Sequence, residues 1–261
     1  MMTIHAHCQS MCLNIKTYPS LQSTNTTAAA MGVTATHGTV VRAVAQTAGR
    51  GQRGNTWESA PGANATFSIV LRPTGWGASR QFEISMVISL AIVRVLRSIL
   101  GKDFPEPVRV KWPNDIYVAD RKICGILIEN TLSGNIIERM IAGIGININQ
   151  KEFVSNAPNP VSLWQIGGTE LDVETIVREV ARAILDDTGQ YIAAPDPHGL
   201  TGSYFSTLWR GDGGMYGWVD TATGKTFRAA ITEVAPSGII TLRHADGSLH
   251  TYAFKEIQAI L

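Results

Sequence analysis

Residues 108–129 read VRVKWPNDIYVADRKICGILIE, and the architecture is predicted most directly from this stretch. Pro113 cannot continue a central strand, and Asn114-Asp115 favours a turn, so the stretch is divided into short extended runs. β-Branched and aromatic residues dominate those runs. The predicted strands are Val108–Trp112, Asp115–Val118 and Ile123–Glu129.

Strand and helix signals alternate on both sides of this stretch. Ala65–Leu71 and Ile136–Ile148 are rich in β-branched residues and predict further strands. Phe82–Leu100 has apolar residues at helical spacing, and Asp172 is a predicted N-cap of a second amphipathic helix. Short β-rich runs separated by turns make residues 211–261 a predicted small β-barrel. The sequence therefore predicts an α+β fold, with a mixed β-sheet and helices followed by a small all-β domain.

Composition excludes several functional classes. Hydrophobic residues make up 44% and charged residues 16%, which is typical of a globular protein with a core. A net charge of +1 gives no reason to expect nucleic-acid binding, so any anion recognition must be local. Phe82–Leu100 contains Glu83, Arg94 and Arg97, whereas a membrane span needs roughly 20 mostly apolar residues. No signal peptide is evident. We expect a cytoplasmic protein without a nucleic-acid or membrane partner.

The cysteines favour free thiols over a metal centre. Cys8 and Cys12 have helical spacing, but no nearby histidine or cysteine pair completes a zinc set. Cys124 stands alone in a β-rich run.

A glycine-rich segment is the first candidate for chemistry. Residues 46–57 read QTAGRGQRGNTW, and their three glycines allow a close backbone approach to a ligand. Arg50 and Arg53 offer guanidinium groups for phosphate or carboxylate, and Trp57 offers a face for a flat group. The alternative is a flexible basic surface loop. A P-loop is excluded because no Gly-Lys-Ser/Thr sequence closes the segment.

Three further blocks carry polar groups at strand ends or turns. Lys111 lies between Val110 and Trp112, an unusual position for a merely solvated charge, although a lysine that extends past a turn to solvent is the alternative. Ser23-Thr24-Asn25 can bind a neutral polar ligand or simply cap a helix. Asn147, in GIGININ, can contact an adenine edge or lie in an ordinary buried strand.

Taken together and in this order, the blocks resemble biotin protein ligase. The motifs are Ser-Thr-Asn, Gly-Arg-Gly-x-Arg-Gly with a following Trp, Lys-Trp-Pro-Asn-Asp, Lys-x-x-Gly-Ile-Leu-x-Glu and Gly-Ile-Asn, over roughly residues 14–261. The resemblance implies a class II synthetase-like fold. Residues 15–210 would form a catalytic domain that binds biotin and ATP, and residues 211–261 an SH3-like barrel. Residues 1–14 would be an N-terminal extension.

The resemblance also implies an activity and site residues. The enzyme would be an ATP-dependent, AMP-forming ligase that uses Mg²⁺, makes biotinyl-5'-AMP and transfers biotin to a lysine of a biotin carboxyl carrier protein or domain. A homodimer is compatible with it. The implied biotin-binding residues are Ser23, Thr24, Asn25, Gln46, Gly49, Arg50, Gly51, Gln52, Lys111, Gly125 and Ile126. Those implied for ATP or the adenylate are Arg50, Arg53, Trp57, Lys111, Lys122 and Asn147. Catalysis would fall to Lys111, Arg50 and Asp115, and Asp115 is also the candidate Mg²⁺ ligand.

Two positions depart from the family pattern, because many members carry Arg where this chain has Gln52 and Asn55. The loop therefore has less positive charge with which to retain an adenylate. A lipoate ligase is the nearest alternative, and Lys-Trp-Pro-Asn-Asp argues against it. A biotin-responsive DNA-binding repressor would need a helix-turn-helix domain, and only about 20 residues precede Ser23. An inactive biotin-binding protein is disfavoured by the retained Lys111 and Arg50.

Overall fold

The computed structural model of the chain describes residues 13–155 and 157–261, without the side chain of Arg53. Cys8, Cys12 and most of the predicted N-terminal extension lie outside the described residues.

Seven strands form the larger sheet. They are β1 (Asn14–Leu21), β2 (Thr39–Gln46), β3 (Ala65–Leu71), β4 (Val108–Lys111), β5 (Asp115–Val118), β6 (Arg121–Ser133) and β7 (Ile136–Ile146). Their order is β1-β2-β3-β7-β6-β5-β4. β1 and β2 are parallel and every other neighbouring pair is antiparallel, so the sheet is mixed, as predicted. The strands of the quoted stretch lie at one edge, where β4 ends at Lys111, two residues before Pro113.

Helices accompany this sheet. They are α1 (Thr24–Ala30), α2 (Gln81–Leu100), α3 (Leu163–Gly167), α4 (Val173–Ala193) and α5 (Pro197–Ser206). The predicted helix cap is confirmed, because the Asp172 side chain accepts hydrogen bonds from the backbone N–H groups of Glu174 and Thr175. Most of α2 is buried, and Arg94 on it pairs with Asp187 on α4 at 2.8 Å. None of the helices among the described residues is long and apolar enough to cross a bilayer.

Five short strands form a second, antiparallel sheet in the region predicted to be a barrel. They are β8 (Tyr216–Asp220), β9 (Thr226–Val234), β10 (Ile240–His244), β11 (Leu249–Tyr252) and β12 (Ile257–Ala259), in the order β11-β10-β9-β8-β12. Trp112 joins this sheet to the larger one, because its indole N–H donates to the carbonyl oxygen of Gly238 at 3.1 Å. The Trp112 ring also meets Phe254 edge-on at 6.1 Å between centres. The two sheets consequently share one hydrophobic core, and the α+β fold is confirmed.

Candidate active site

A cavity of about 270 Å³ lies against strands β4 to β7 of the larger sheet and is partly walled by the small sheet. It brings together most of the side chains and backbone positions that the sequence had singled out. These are Ser23, Thr24, Asn25, Gln46, Arg50, Gly51, Gln52, Trp57, Lys111, Asp115, Lys122, Gly125 and Ile126. Of the other predicted site residues, Asn147 lines an adjoining cavity and Gly49 lines neither. The side chain of Arg53 lies outside the described residues.

One end of the cavity is polar and buried, and we call Ser23, Thr24, Asn25 and Gln46 the polar end. Parallel pairing of β1 with β2 sets Leu21 opposite Gln46, which brings the start of α1 beside the end of β2. The Thr24 backbone N–H donates to Gln46 Oε1 at 2.8 Å. Ser23 is the N-cap of α1 but makes no side-chain capping bond, so its hydroxyl is available to a ligand.

Three glycines on the paired strands β6 and β7 make room for the side chains of Trp57 and Asn25. Gly125 and Gly145 face each other across the strand pair, and the Trp57 indole lies over both. A Cβ at Gly145 would lie 2.3 Å from Trp57 Cε2, and one at Gly143 would lie 2.2 Å from Asn25 Oδ1. Real Cβ contacts are never this short, so bare backbone is required at both positions. The Gly-Ile-Gly motif therefore shapes the cavity floor.

The glycine-rich segment closes on itself as a small hairpin. The Trp57 N–H donates to the Gly49 carbonyl at 2.9 Å, and the Gly51 N–H donates to the Asn55 carbonyl at 2.7 Å. A Cβ at Gly49 would lie 2.5 Å from the Trp57 carbonyl oxygen, so Gly49 helps to position Trp57. Gln52 Nε2 donates to Asn114 Oδ1 at 3.0 Å, which ties the hairpin to the turn after β4.

The cavity is strongly cationic although the whole chain is nearly neutral. The described residues that line it include three cationic side chains, Arg50, Lys111 and Lys122, and one carboxylate, that of Asp115. Arg50 pairs with Glu129, and Lys122 Nζ lies 2.7 Å from Asp115 Oδ2. The Lys111 ammonium makes no hydrogen bond or ion pair with any residue in the described ranges. It is therefore the charge most available to an anionic ligand.

Two aromatic rings, and no hydrogen-bond acceptor among the described residues, lie next to the Lys111 ammonium. Its Nζ lies 5.1 Å from the centre of the Tyr117 ring and 5.9 Å from that of Trp209. Such faces attract a cation weakly and provide no oxygen lone pair. A ligand carboxylate or phosphate can therefore pair with Lys111 without first displacing a protein anion.

The charge on Lys111 should be lost at lower pH than that of an exposed lysine. Burial lowers its pKa; Asp115 raises it in part, and Lys122 and Arg210 lower it. The ammonium is present below this pKa and lost above it. We expect the rate of a reaction that needs the charged Lys111 to fall on the alkaline side, at a pH below the ordinary lysine value. Lys111→Arg should move that fall to higher pH because arginine stays charged. A pH–rate profile with the same alkaline limb in both proteins would rule out Lys111 as its cause.

A second cavity adjoins the first and shares Trp57 and Lys122 with it. Asn147 and Asn159 line it, and each has a buried Oδ1 with no hydrogen-bond partner. The Trp57 indole N–H is likewise buried and unpaired. A buried polar atom without a partner costs about 1–3 kcal/mol, so a ligand that supplies partners here would gain affinity. Asn147 itself is held by its Nδ2, which donates to the Val161 carbonyl at 3.0 Å.

The protein groups do not by themselves form a metal cage. No cluster of three or more His, Cys, Asp or Glu side chains suited to a metal occurs within residues 13–155 and 157–261. Asp115 is the only carboxylate in the described lining of the first cavity, and Lys122 occupies one of its oxygens. Mg²⁺ typically takes one or two protein carboxylates together with substrate phosphates, so Asp115 fits a metal that arrives with a nucleotide.

Sequence reasoning missed several contributors to the cavity. The small sheet supplies a wall from Trp218, Ile231, Phe254, Ile257, Gln258 and Ala259. Ser68, on the fully buried strand β3, contacts both Thr24 and Asn25. One signal existed for Ser68: Thr66 and Ser68 put two hydroxyl groups on one face of an otherwise apolar strand. The wall forms only when the small sheet packs against the larger one, and no local sequence pattern indicated that contact.

Fold and cavity together define the class, an α+β protein of the biotin/lipoate ligase fold with a cationic ligand cavity. Residues 18–147 match the profile of the Biotin/lipoate A/B protein ligase family. Residues 18–147 therefore form a domain of that family.

Relatives with known names agree with this assignment. The chain is 38% identical over 141 residues to the bifunctional ligase/repressor BirA of Escherichia coli, a region covering 53% of this chain and 42% of BirA. It is 34% identical over 142 residues to a biotin–[acetyl-CoA-carboxylase] ligase of Paracoccus denitrificans, covering 53% and 58% of the two chains. The matches thus span about half the length of these relatives.

The fold extends the similarity to nearly the whole chain. A biotin protein ligase of Aquifex aeolicus, solved in complex with biotin and ATP, superimposes with a TM-score of 0.77 at 23% identity. The superposition covers 95% of this chain and 98% of the other. At this identity the comparison supports the common fold, including the C-terminal sheet.

Proposed function

We propose that this protein activates biotin with ATP as biotinyl-5'-AMP and then transfers biotin to a lysine of a biotin carboxyl carrier protein or domain. Residues 15–210 would carry the catalysis, and residues 211–261 would complete one wall of the site. The cytoplasm, where ATP and apo-carboxylases occur, is the proposed location. Family membership and the names of the relatives support the proposal.

The observation that carries the proposal is the division of one cavity into a neutral polar end and a cationic part. The polar end offers hydroxyl, amide and carboxamide groups, which suit an uncharged cyclic urea. Arg50, Lys111 and Lys122 suit a carboxylate and a phosphate. Biotin has both features at opposite ends of one molecule. Its valeryl carboxylate would therefore be directed toward Lys111.

The first chemical step joins two anions. An oxygen of the biotin carboxylate attacks the α-phosphorus of ATP, a new P–O bond forms, and the bond to pyrophosphate breaks. The site must offset the repulsion between the two anions and stabilise the negative charge that grows on the pyrophosphate leaving group. Within the described part of the chain Lys111 has no competing acceptor, so its charge is available in the transition state. Lys122 must leave its ion pair with Asp115 before it can bind a substrate oxygen, and Arg50 must likewise leave Glu129.

The second cavity suits the adenine of the nucleotide. The unpaired oxygens of Asn147 and Asn159 are acceptors, and the 6-amino group of adenine is a donor. Trp57 lies at the boundary of the two cavities, where its indole can contact both parts of the adenylate. The two cavities would thus hold one biotinyl-AMP molecule.

The second step transfers the acyl group. The neutral amine of the carrier lysine attacks the carbonyl carbon of the mixed anhydride, the bond to AMP breaks, and the amine releases a proton. Asp115 is the carboxylate placed to orient that amine or accept the proton. Mg²⁺ would enter as Mg·ATP, with Asp115 as its protein ligand.

Biotin-dependent exchange of pyrophosphate into ATP tests the activation step without any carrier protein. We expect exchange with biotin and Mg·ATP, and a rate at least tenfold lower with lipoate, because the polar end is built for hydrogen bonds that a dithiolane ring cannot make. A site built for hydrogen bonding rejects ligands that leave its groups unpaired. Faster exchange with lipoate would identify the chain as a lipoate ligase, and no exchange with either acid would contradict the proposed function.

A further inference from the structure

We infer that Glu129 and Ser68 fix the direction of the hydrogen bonds at the polar end, so that Thr24 presents only an acceptor to the ligand. The ligand atom opposite Thr24 must then be an N–H donor. This inference deepens the proposed function and rests on it, because the cyclic urea of biotin is the group being recognised. Glu129 and Ser68 line neither cavity and would act as positioning residues.

The direction begins at Asn25, whose carboxamide can take only one orientation. Its Nδ2 lies 2.7 Å from Glu129 Oε2 and 3.2 Å from the Leu127 carbonyl oxygen. A carbonyl oxygen and an ionised carboxylate are acceptors only. A flipped Asn25 would bring its own oxygen against these two oxygens, so the NH₂ group must face them. Asn25 Oδ1 consequently faces Ser68.

The constraint passes from Asn25 through Ser68 to Thr24. Ser68 Oγ lies 2.6 Å from Asn25 Oδ1 and 2.7 Å from Thr24 Oγ1. A hydroxyl group has a single hydrogen, and Asn25 Oδ1 has none, so the hydrogen of Ser68 must point to Asn25. The hydrogen in the contact between the two hydroxyls must then come from Thr24. Thr24 is left with lone pairs to present to the cavity.

The surroundings prevent water or a side-chain shift from relaxing this arrangement. Ser68 is fully buried, and Thr24 and Asn25 are 4% and 2% exposed. Bare backbone at Gly143 accommodates the Asn25 carboxamide, since a Cβ there would lie 2.2 Å from Asn25 Oδ1. If the ligand had an oxygen in place of the N–H, that oxygen and Thr24 Oγ1 would both present lone pairs, and no hydrogen bond could form between them.

The test uses biotin and its two cyclic carbamate analogues, in each of which one ring N–H is replaced by oxygen. Calorimetry gives the affinity of each compound for the wild-type protein. We expect the carbamate whose oxygen faces Thr24 to bind about 100-fold more weakly than biotin, the range for one unpaired buried group. In Ser68→Ala the Thr24 hydroxyl can rotate and donate. That carbamate should then bind more tightly than it does to wild type, and the ratio should fall to about tenfold or less.

Two substitutions of Glu129 separate its acceptor from its charge. Glu129→Gln and Glu129→Leu both remove the carboxylate and its pairing with Arg50, but only glutamine keeps an oxygen for Asn25 Nδ2. Glu129→Gln should keep the discrimination against the carbamate, and Glu129→Leu should weaken it, because only the 3.2 Å contact with the Leu127 carbonyl oxygen then orients the Asn25 carboxamide. Because Glu129 is partly exposed, these variants should fold even if Ser68→Ala does not.

The outcomes distinguish the two claims. Wild-type protein that binds biotin, with affinity ratios unchanged in Ser68→Ala and Glu129→Leu, overturns the inference and leaves the proposed function standing. Equal loss of discrimination in Glu129→Gln and Glu129→Leu also overturns it, because charge and not the acceptor would be responsible. Wild-type protein that binds no biotin contradicts the proposed function, and the inference with it.

Discussion

Replacing Lys111 with alanine is expected to lower the rate of biotinyl-AMP formation by about 10²–10³-fold, the range for losing one preorganised charge in a transition state. The reason lies in the position of the ammonium, which is partly buried and has no ion-pair partner among the residues that the structure describes. Its charge acts on the negative oxygens that develop between carboxylate and phosphate. Single-turnover pyrophosphate release at saturating biotin and Mg·ATP measures the effect.

The matched control for this substitution is Lys102→Ala, which removes an exposed lysine outside both cavities. Lys102→Ala should react at the wild-type rate. Circular dichroism should show that both variants are folded, because the Lys111 ammonium makes no hydrogen bond within the described parts of the chain. A folded Lys111→Ala protein with a near-wild-type rate would remove Lys111 from the proposed mechanism.

Replacing Gly145 with alanine is expected to weaken ATP and adenylate binding by about 5–150-fold. The new Cβ would lie 2.3 Å from the Trp57 indole, so the ring must leave its place over β6 and β7. Contact between an aromatic side chain and a base contributes about 1–3 kcal/mol, which corresponds to that range of affinity. The exposed hairpin that carries Trp57 can move outward, so we expect the sheet to remain folded. Calorimetry with a non-hydrolysable biotinyl-AMP analogue measures the loss.

Gly189→Ala is the control for that substitution. Gly189 lies on α4, and a Cβ there would meet no atom within 4 Å. Alanine favours a helix more than glycine, so this variant should be unchanged or slightly more stable and should bind the analogue normally. Equal affinity in Gly145→Ala and Gly189→Ala would show that Trp57 does not contact the bound nucleotide.

Local sequence signals predicted the helices and strands that are stabilised by residues within the same segment. Ala65–Leu71 and Asp115–Val118 are strands with the predicted bounds, and Asp172 caps its helix through its own side chain. β1 and β2 were not predicted, because their parallel pairing is non-local and β1 has little apolar alternation. α5 was missed because Gly199 and Gly202 weaken the helical signal.

The site was predictable in part from spacing and in part only through resemblance. Lys111 and Asp115 are separated by one turn, and the register of β4 with β5 pairs them directly. The meeting of Thr24 with Gln46 depends on strand pairing, and nothing local in the sequence indicated it. Glu129 belonged to a recognised motif, but the positioning role that we infer for it rests on its contact with Asn25, which only the structure shows. The roles of these residues toward biotin and ATP remain predictions.

Intact-mass spectrometry of a biotin carboxyl carrier domain shows whether the protein transfers biotin to a carrier lysine. The purified protein is incubated with the carrier, biotin and Mg·ATP, alongside a carrier whose acceptor lysine is replaced by arginine. We expect a mass increase of one biotin, less one water, on the unmodified carrier only. An unchanged carrier mass at saturating biotin and ATP would show that the protein does not transfer biotin to this lysine.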